Sequence, residues 1–422
     1  MAEHRCLRVC IDARVPDGPA SGVRSVVVGL AKALSELGDG TEEYLFLAFK
    51  DSHEWLCPLM KGRSRILPTR NRKNPAWKRI ARGMPGVVKT WQSVCRQKML
   101  TIERSMPVSD GAVEAAAVDV LHFAQTSGFQ TTLPSIYQIH DLQHLHYPDF
   151  FAPWEFADRE FRYRANCTQS SLIAVMTEFG KEDLIRNYGL PEEKVKVVPW
   201  APVLTEYQRS PTSADLEATC KKFRIQTDFA FYPAQTWRHK NHSALFEALA
   251  ILRDRYDTVV RLVCSGHKNE YYPSLQRMIG ELGLSNTVNF VGYVSPVERD
   301  CLYRLARCMV YPSKFEGWGL PISEAFTLGL PVLCSNIRPL REQVQDAAIT
   351  FDPDNAEELA HALYRVWTDE NLRRNLRNAG TERAGLFSWD RTARLFRAHY
   401  RVLGRRPLTE EDRMLLAQAP LV

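Results

Sequence analysis

Short apolar runs recur along this chain, separated by stretches of helical composition, and that alternation constrains the fold more than any other feature. Leu7–Ile11, Tyr44–Phe49, Val118–Phe123, Ser135–Ile139, Leu172–Met176 and Lys194–Val198 read as buried strands. Helical stretches fall between several of them, at Val23–Leu37, Glu155–Gln169 and Thr177–Asn187. Near-continuous apolar runs suit strands covered on both faces, and their alternation with helices predicts a parallel sheet. The pattern weakens from Ala201 to Gln226, which holds Pro202 and Pro211. It then restarts with strands at Phe229–Tyr232, Val259–Cys264, Thr287–Val291, Cys308–Tyr311, Pro331–Cys334 and Ala348–Phe351. At 422 residues the chain exceeds one ordinary core. The expected fold class is α/β, with two doubly wound, Rossmann-like parallel-sheet domains facing across a cleft. The boundaries read as 1–205 for the first domain, 206–226 for a linker, 227–387 for the second domain, and 388–422 for a helix and tail. The helix at 388–403 is placed to pack back on the first domain. Ligands of such sheets bind at the carboxyl ends of the strands.

Composition removes other classes. A hydrophobic content of 45% with 25% charged residues describes a soluble globular chain. Asp12, Arg14 and Asp17 interrupt any signal-peptide core, and no window reaches the ~18 apolar residues of a membrane span. A cytoplasmic protein is expected, with peripheral attachment to the inner membrane face as an option. The ten cysteines form no C-x-x-C pair, and Cys6, Cys10, Cys264, Cys308 and Cys334 lie in or beside apolar runs. They read as reduced, buried thiols rather than as a disulfide or zinc framework.

The net charge of +6 is unevenly spread. Residues 61–104 hold 13 of the 55 Lys and Arg and one acid, Glu103, which leaves 42 basic against 48 acidic residues elsewhere. A solvated face is the plain reading. Trp77 and Trp91, with a helix expected from Val87 to Arg104, favour an anionic membrane surface instead. Nucleic acid is not expected, since no recognised binding motif accompanies the charge.

The most informative stretch is Tyr311–Asn336, YPSKFEGWGLPISEAFTLGLPVLCSN. A strand leads into a glycine-spaced loop, Glu316-Gly317-Trp318-Gly319-Leu320, and Pro321 opens a helix that Gly329 ends. Strand, glycine loop and helix N-terminus offer backbone N–H groups and a positive dipole end to an anion. Glu316 and Glu324 bracket the loop with seven residues between them. A βα turn with a glutamate complementing the helix dipole is the competing structural reading.

This stretch closely resembles the E-x7-E signature of family 4 glycosyltransferases, retaining enzymes of the two-domain GT-B fold. Tyr232-Pro233-Ala234-Gln235-Thr236-Trp237 with Lys240-Asn241-His242 resembles the donor-phosphate motif of bacterial members that build surface polysaccharides such as lipopolysaccharide. Ser21-Gly22-Val23-Arg24, His140-Asp141 and Phe290-Val291-Gly292-Tyr293-Val294 stand at three further family motifs.

The resemblance implies the following roles. Lys240 and Arg238 neutralise the donor diphosphate. Gly22 lets a backbone N–H approach the distal phosphate. Tyr293 and Val294 face the base, and Gly317, Trp318, Gly319 and Leu320 form the donor loop. Glu316 faces the donor sugar and Glu324 the ribose, while His140 and Asp141 serve the reacting centre. The implied reaction is a metal-free, front-face retaining transfer of a hexose to a lipid-linked or polysaccharide glycan. It uses no cofactor, only a nucleotide-diphosphate sugar as donor: GDP-mannose by analogy with relatives, with UDP- and dTDP-sugars as the alternatives. One departure stands out: Gln235 occupies a place where relatives often carry arginine, so Arg238 has to substitute. A 2-epimerase of the same fold and a non-catalytic nucleotide-binding module are the alternatives. A metal site at His140, His144 and His146 is disfavoured by its spacing, and Asp352-Pro353-Asp354 reads as a capping turn.

Overall fold

The computed structural model describes residues 5–15, 22–70, 104–203 and 210–421. The expected helix from Val87, with Trp77 and Trp91, lies outside them, as does Ser21. The chain divides into two compact units. The first comprises Met1–Val175, Lys181–Val198 and Ala393–Ala419; the second comprises Met176–Gly180, Pro199–Thr392 and Pro420–Val422.

Unit 1 carries seven parallel strands: β1 Arg8–Asp12, β2 Glu43–Phe49, β3 Ser64–Thr69, β4 Val120–Phe123, β5 Ser135–Gln138, β6 Leu172–Val175 and β7 Val195–Val197, in the order β3-β2-β1-β4-β5-β6-β7. β4, β5 and β6 are buried at every position; β6 is apolar throughout, while β4 and β5 also bury His122, Ser135 and Gln138. β3 was not anticipated. It lies inside the basic segment and contains Pro68, which a strand tolerates because β3 is the outer one and needs fewer N–H donors.

Two C-terminal helices, Trp389–Leu403 and Glu410–Ala417, complete this unit from residue 393 onward. The first buries Phe396 and Tyr400 completely, and Tyr400 Oη lies 2.7 Å from Nδ1 of the buried His122 on β4. Arg401 is held between Glu42 and Asp412, each 2.7 Å away, with all three side chains almost wholly buried. Asp412 also closes a capping box with Thr409. An arginine buried this deeply is tolerated because both neighbouring charges are paired.

Unit 2 carries six parallel strands: β8 Ala230–Pro233, β9 Leu262–Ser265, β10 Val288–Gly292, β11 Cys308–Tyr311, β12 Val332–Ser335 and β13 Ile349–Phe351, in the order β10-β9-β8-β11-β12-β13. The residues expected to be a linker hold a helix, Ser213–Phe223. Thr212 and Asp215 cap it reciprocally, and Arg224 ends it in a left-handed conformation. Proline and serine content predicts a linker there, but the Thr212–Asp215 capping box starts a helix. The Asp352–Asp354 turn is an Asx turn, with the Asp354 N–H donating to Asp352 Oδ1 at 2.9 Å, and Asn355 rather than either aspartate caps the helix Ala356–Thr368. All nine described cysteines are free, five of them buried in or next to the strands or helices of the two cores and one more, Cys301, on the helix Pro296–Leu305.

Strand order reverses between β1 and β4 in unit 1 and between β8 and β11 in unit 2. Those switch points, at the carboxyl ends of the strands, are where doubly wound sheets bind ligands.

Candidate functional site

In unit 2, the loops after β8 and β11 meet at the switch point. The chain leaves β8 through a 3-10 turn, Arg238–Lys240, and Asn241 follows at φ +55°. Asparagine accepts this left-handed conformation, and its Nδ2 fixes it by donating to the Pro353 carbonyl at 2.7 Å. The Lys314 N–H donates to the His239 carbonyl at 2.7 Å, which ties the β11 loop to the β8 loop. The consequence is one close pair: Lys240 Nζ lies 2.5 Å from Glu316 Oε1. Residues 76 apart in sequence thus form a largely buried ion pair, with side-chain exposures of 16% and 9%. Tyr311, the last residue of β11, adds its hydroxyl 3.2 Å from Lys240 Nζ.

Glu324 sits in the helix Leu320–Thr327, is almost wholly buried, and has both carboxylate oxygens engaged. Tyr303 Oη donates to Oε2 at 2.8 Å, and Arg299 Nη1 lies 3.2 Å from Oε1. Arg299 and Tyr303 stand four residues apart on the helix Pro296–Leu305, so they share one face. Next to Arg299, burial raises Asp300 to about 6 against the opposing pull of the guanidinium.

The glycine loop differs from its expected form in one respect. The Gly319 N–H is not open to a ligand: it donates to Gln343 Oε1 at 2.9 Å, and Gln343 Nε2 returns a bond to the Gly319 carbonyl at 2.9 Å. A buried amide with both groups satisfied locks the loop. A Cβ at Gly319 would stand 2.9 Å from Gln343 Oε1 and from Ile322 Cδ1, so glycine is needed for close approach. Trp318 is buried against Phe387, and Gly317 and Leu320 are half-buried.

Arg238 is exposed and stacks over Tyr271, 5.5 Å from the ring centroid. Gln235, where an arginine was expected, accepts the Trp237 indole N–H at 3.0 Å. Tyr293 is 47% exposed, whereas Val294 packs into the unit 2 core, so only its backbone can face a ligand.

In unit 1, Gly22 begins the helix Gly22–Glu36 and is exposed. His140 follows β5, half-buried, and burial favours its neutral form. Asp141 turns toward the backbone, accepting the Gln143 N–H at 3.0 Å, with Arg159 4.0 Å away. His144 and His146 take separate carboxylates, Glu160 and Asp183, each at 2.8 Å. At the unit 1 switch point, Asp12 is fully buried under a two-point contact from Arg14.

Several residues of these arrangements carried no functional signal in the sequence. Tyr311, Arg299, Tyr303 and Gln343 are ordinary strand or helix residues until the fold points them at Lys240, Glu324 and Gly319. The i, i+4 spacing of Arg299 and Tyr303 was visible, but its target was not.

Residues 221–383 match the family described as Glycosyl transferases group 1, and they contain both glutamates and Lys240. The chain is 26% identical over 252 residues to O-antigen chain mannosyltransferase B of Escherichia coli, covering 60% of this chain and 66% of that protein. It is 25% identical over 228 residues to O-antigen chain mannosyltransferase RfbU of Salmonella typhimurium, covering 54% and 59%. The chain thus spans 66% and 59% of the length of these two curated relatives. Among solved structures, Anabaena Alr3699/HepE in complex with UDP and glucose superposes with a TM-score of 0.66 at 16% identity, over 93% of this chain and 99% of that one. WaaG, a glycosyltransferase involved in lipopolysaccharide biosynthesis, gives 0.61 at 15% identity over 94% and 99%. The fold is therefore the GT-B fold that the sequence motifs implied, and residues 221–383 match the group 1 glycosyl transferases.

Proposed function

We propose that this chain, a group 1 glycosyl transferase module on a GT-B fold, transfers a hexose from a nucleotide-diphosphate sugar to a glycan acceptor. The observation that carries the reading is the convergence of Lys240 and Glu316 at the unit 2 switch point, with Glu324 held rigidly in the helix that follows. A fixed cation there suits a diphosphate that gains charge as it leaves. Arg238, on the rim, adds a second cation, so charge neutralisation is assigned to side chains and no metal or cofactor is invoked. Glu324 accepts the ribose hydroxyls, and Glu316 those of the donor sugar. Tyr293 and the backbone of Val294 take the base side.

Gly22, His140 and Asp141 of unit 1 are assigned to the distal phosphate and the acceptor. In the proposed front-face step, the acceptor hydroxyl oxygen bonds to the anomeric carbon as the carbon–oxygen bond to phosphate breaks. The departing phosphate takes the hydroxyl proton, and the configuration is retained. The names of the two mannosyltransferases support mannose, hence GDP-mannose as donor, and a lipid-linked or polysaccharide acceptor. Attachment to an anionic membrane through 61–104 goes with that acceptor. No helix among the described residues is long and apolar enough to cross a membrane.

A thermal-shift panel of GDP, UDP, dTDP and ADP tests the donor. The matching nucleotide at 100 times its Kd stabilises by about 2.7 kcal/mol, and Glu324→Gln reduces that shift. Release of the nucleotide diphosphate from its sugar only when a glycan acceptor is added then separates a transferase from an epimerase and from a binding module. A Lys240→Ala enzyme with full activity would sink the diphosphate assignment.

A further inference from the structure

Lys240 cannot serve a diphosphate and Glu316 at once without a cost. Glu316 is 8% exposed and its counter-ion is Lys240. When the lysine turns to phosphate, a buried carboxylate is left without its cation, which is strongly disfavoured unless another donor takes its place. Tyr311 is that donor by position. It ends β11 at the switch point, is 2% exposed, and places its hydroxyl 3.2 Å from Lys240 Nζ, with the ammonium 5.4 Å from its ring centroid. Glu316 and this hydroxyl share the one ammonium, at 2.5 Å and 3.2 Å, and the Glu316 charge acts on the phenol. Its ring is fixed by an edge-on contact with Tyr232 at 6.0 Å, and Tyr232 donates its own hydroxyl to the Lys240 carbonyl. Lys240 Nζ therefore bridges Glu316 and a phenol whose ring is held in place.

Resting on the donor reading above, we infer that Tyr311 is a positioning residue that keeps the Glu316 carboxylate in place when Lys240 leaves it for the diphosphate. Burial and the Glu316 charge raise the phenol well above its ordinary pKa, so the proton stays on the oxygen and the O–H remains a donor. Tyr311 then acts on the nucleotide only through Glu316 and Lys240. Its removal harms nucleotide binding in proportion to the negative charge it has to hold.

The test is a double-mutant cycle on the full chain, read by titration calorimetry with the diphosphate that stabilises the wild type best among GDP, UDP, dTDP and ADP. Tyr311→Phe weakens that nucleotide by about tenfold. In a Glu316→Gln background the same substitution has no further effect, because a neutral amide needs no donor to hold a charge. Circular dichroism verifies that the compared proteins are folded. An equal loss in both backgrounds marks Tyr311 as merely structural and overturns the inference, as does an undiminished affinity in Tyr311→Phe. A wild type that binds none of the four overturns the donor reading, and the inference with it.

Discussion

Replacing Glu316 by glutamine tests how the resting site is held. The Lys240–Glu316 pair, at 2.5 Å and mostly shielded from water, is a charge-assisted bond worth about 1.5–3 kcal/mol. A diphosphate that recruits Lys240 has to break it. Glutamine offers the lysine only a neutral carbonyl, worth about 0.5–1.5 kcal/mol. The difference, of order 1–1.5 kcal/mol, goes to the nucleotide. Glu316→Gln therefore binds the bare nucleotide diphosphate roughly tenfold tighter than the wild type. The nucleotide sugar moves the other way relative to the diphosphate, because the hydroxyl-accepting carboxylate is lost, and turnover falls. Without ligand the variant melts at a lower temperature, with a part-buried ammonium lacking its anion, and the nucleotide-induced rise in Tm is larger. Titration calorimetry with diphosphate and diphosphate sugar side by side reads both signs. A variant that binds the diphosphate no tighter than wild type would refute the reasoning, since Lys240 would then not be the group the nucleotide recruits.

Other outcomes follow from the same geometry. Gly319→Ala forces a methyl against Gln343 and Ile322, costs about 1–3 kcal/mol by overpacking, and weakens the nucleotide; urea unfolding and calorimetry measure the two effects. Arg401→Met leaves Glu42 and Asp412 buried without their cation, lowering stability by about 3–5 kcal/mol, seen as an earlier urea midpoint. His122 and His242 are buried and depressed to about 3 from 6.5, so the native state takes up fewer protons than the unfolded chain between those values. Stability is complete above pH 6.5 and falls as pH drops toward 3, by about 1.4 kcal/mol per unit for each imidazole. Asp300 has the opposite sign: raised to about 6 from 3.8, it favours the native state at low pH, and that contribution is lost as pH rises from about 4 through 6. Asp300→Asn removes this loss, raising Tm at pH 7.5 while leaving it unchanged below pH 3.8.

Much of the fold was legible because parallel strands buried on both faces are largely apolar, and β6 and β11 are so throughout. β3 escaped because an outer strand can carry charge and proline, which hid it in a basic segment. In the candidate site, motif residues such as Lys240, Glu316 and Glu324 announced themselves through spacing and resemblance. What the sequence could not display was their pairing. Glycine spacing suggested open amides at the loop, yet the distant Gln343 occupies the one at Gly319. Asp141 was expected at the reacting centre, and one of its carboxylate oxygens also closes the backbone turn at Gln143. Such outcomes depend on which side chain arrives from elsewhere in the chain, and local pattern carries no trace of that.

The last two helices give unit 1 an unusual schedule of assembly. Glu42, Asp39 and His122 are made early, but Arg401, Arg397 and Tyr400, their partners, are made last. Residues 199–392 emerge in between, a delay of about 10–40 s at ordinary synthesis rates. For that interval the N-terminal sheet stands without its closing helices, with paired-to-be carboxylates still in water and an apolar face uncovered. Unit 2, whose strands are contiguous in the chain, can finish first although it is made second. A chain ended after residue 392 should therefore present a protease-resistant C-terminal half attached to an N-terminal half that is still cut.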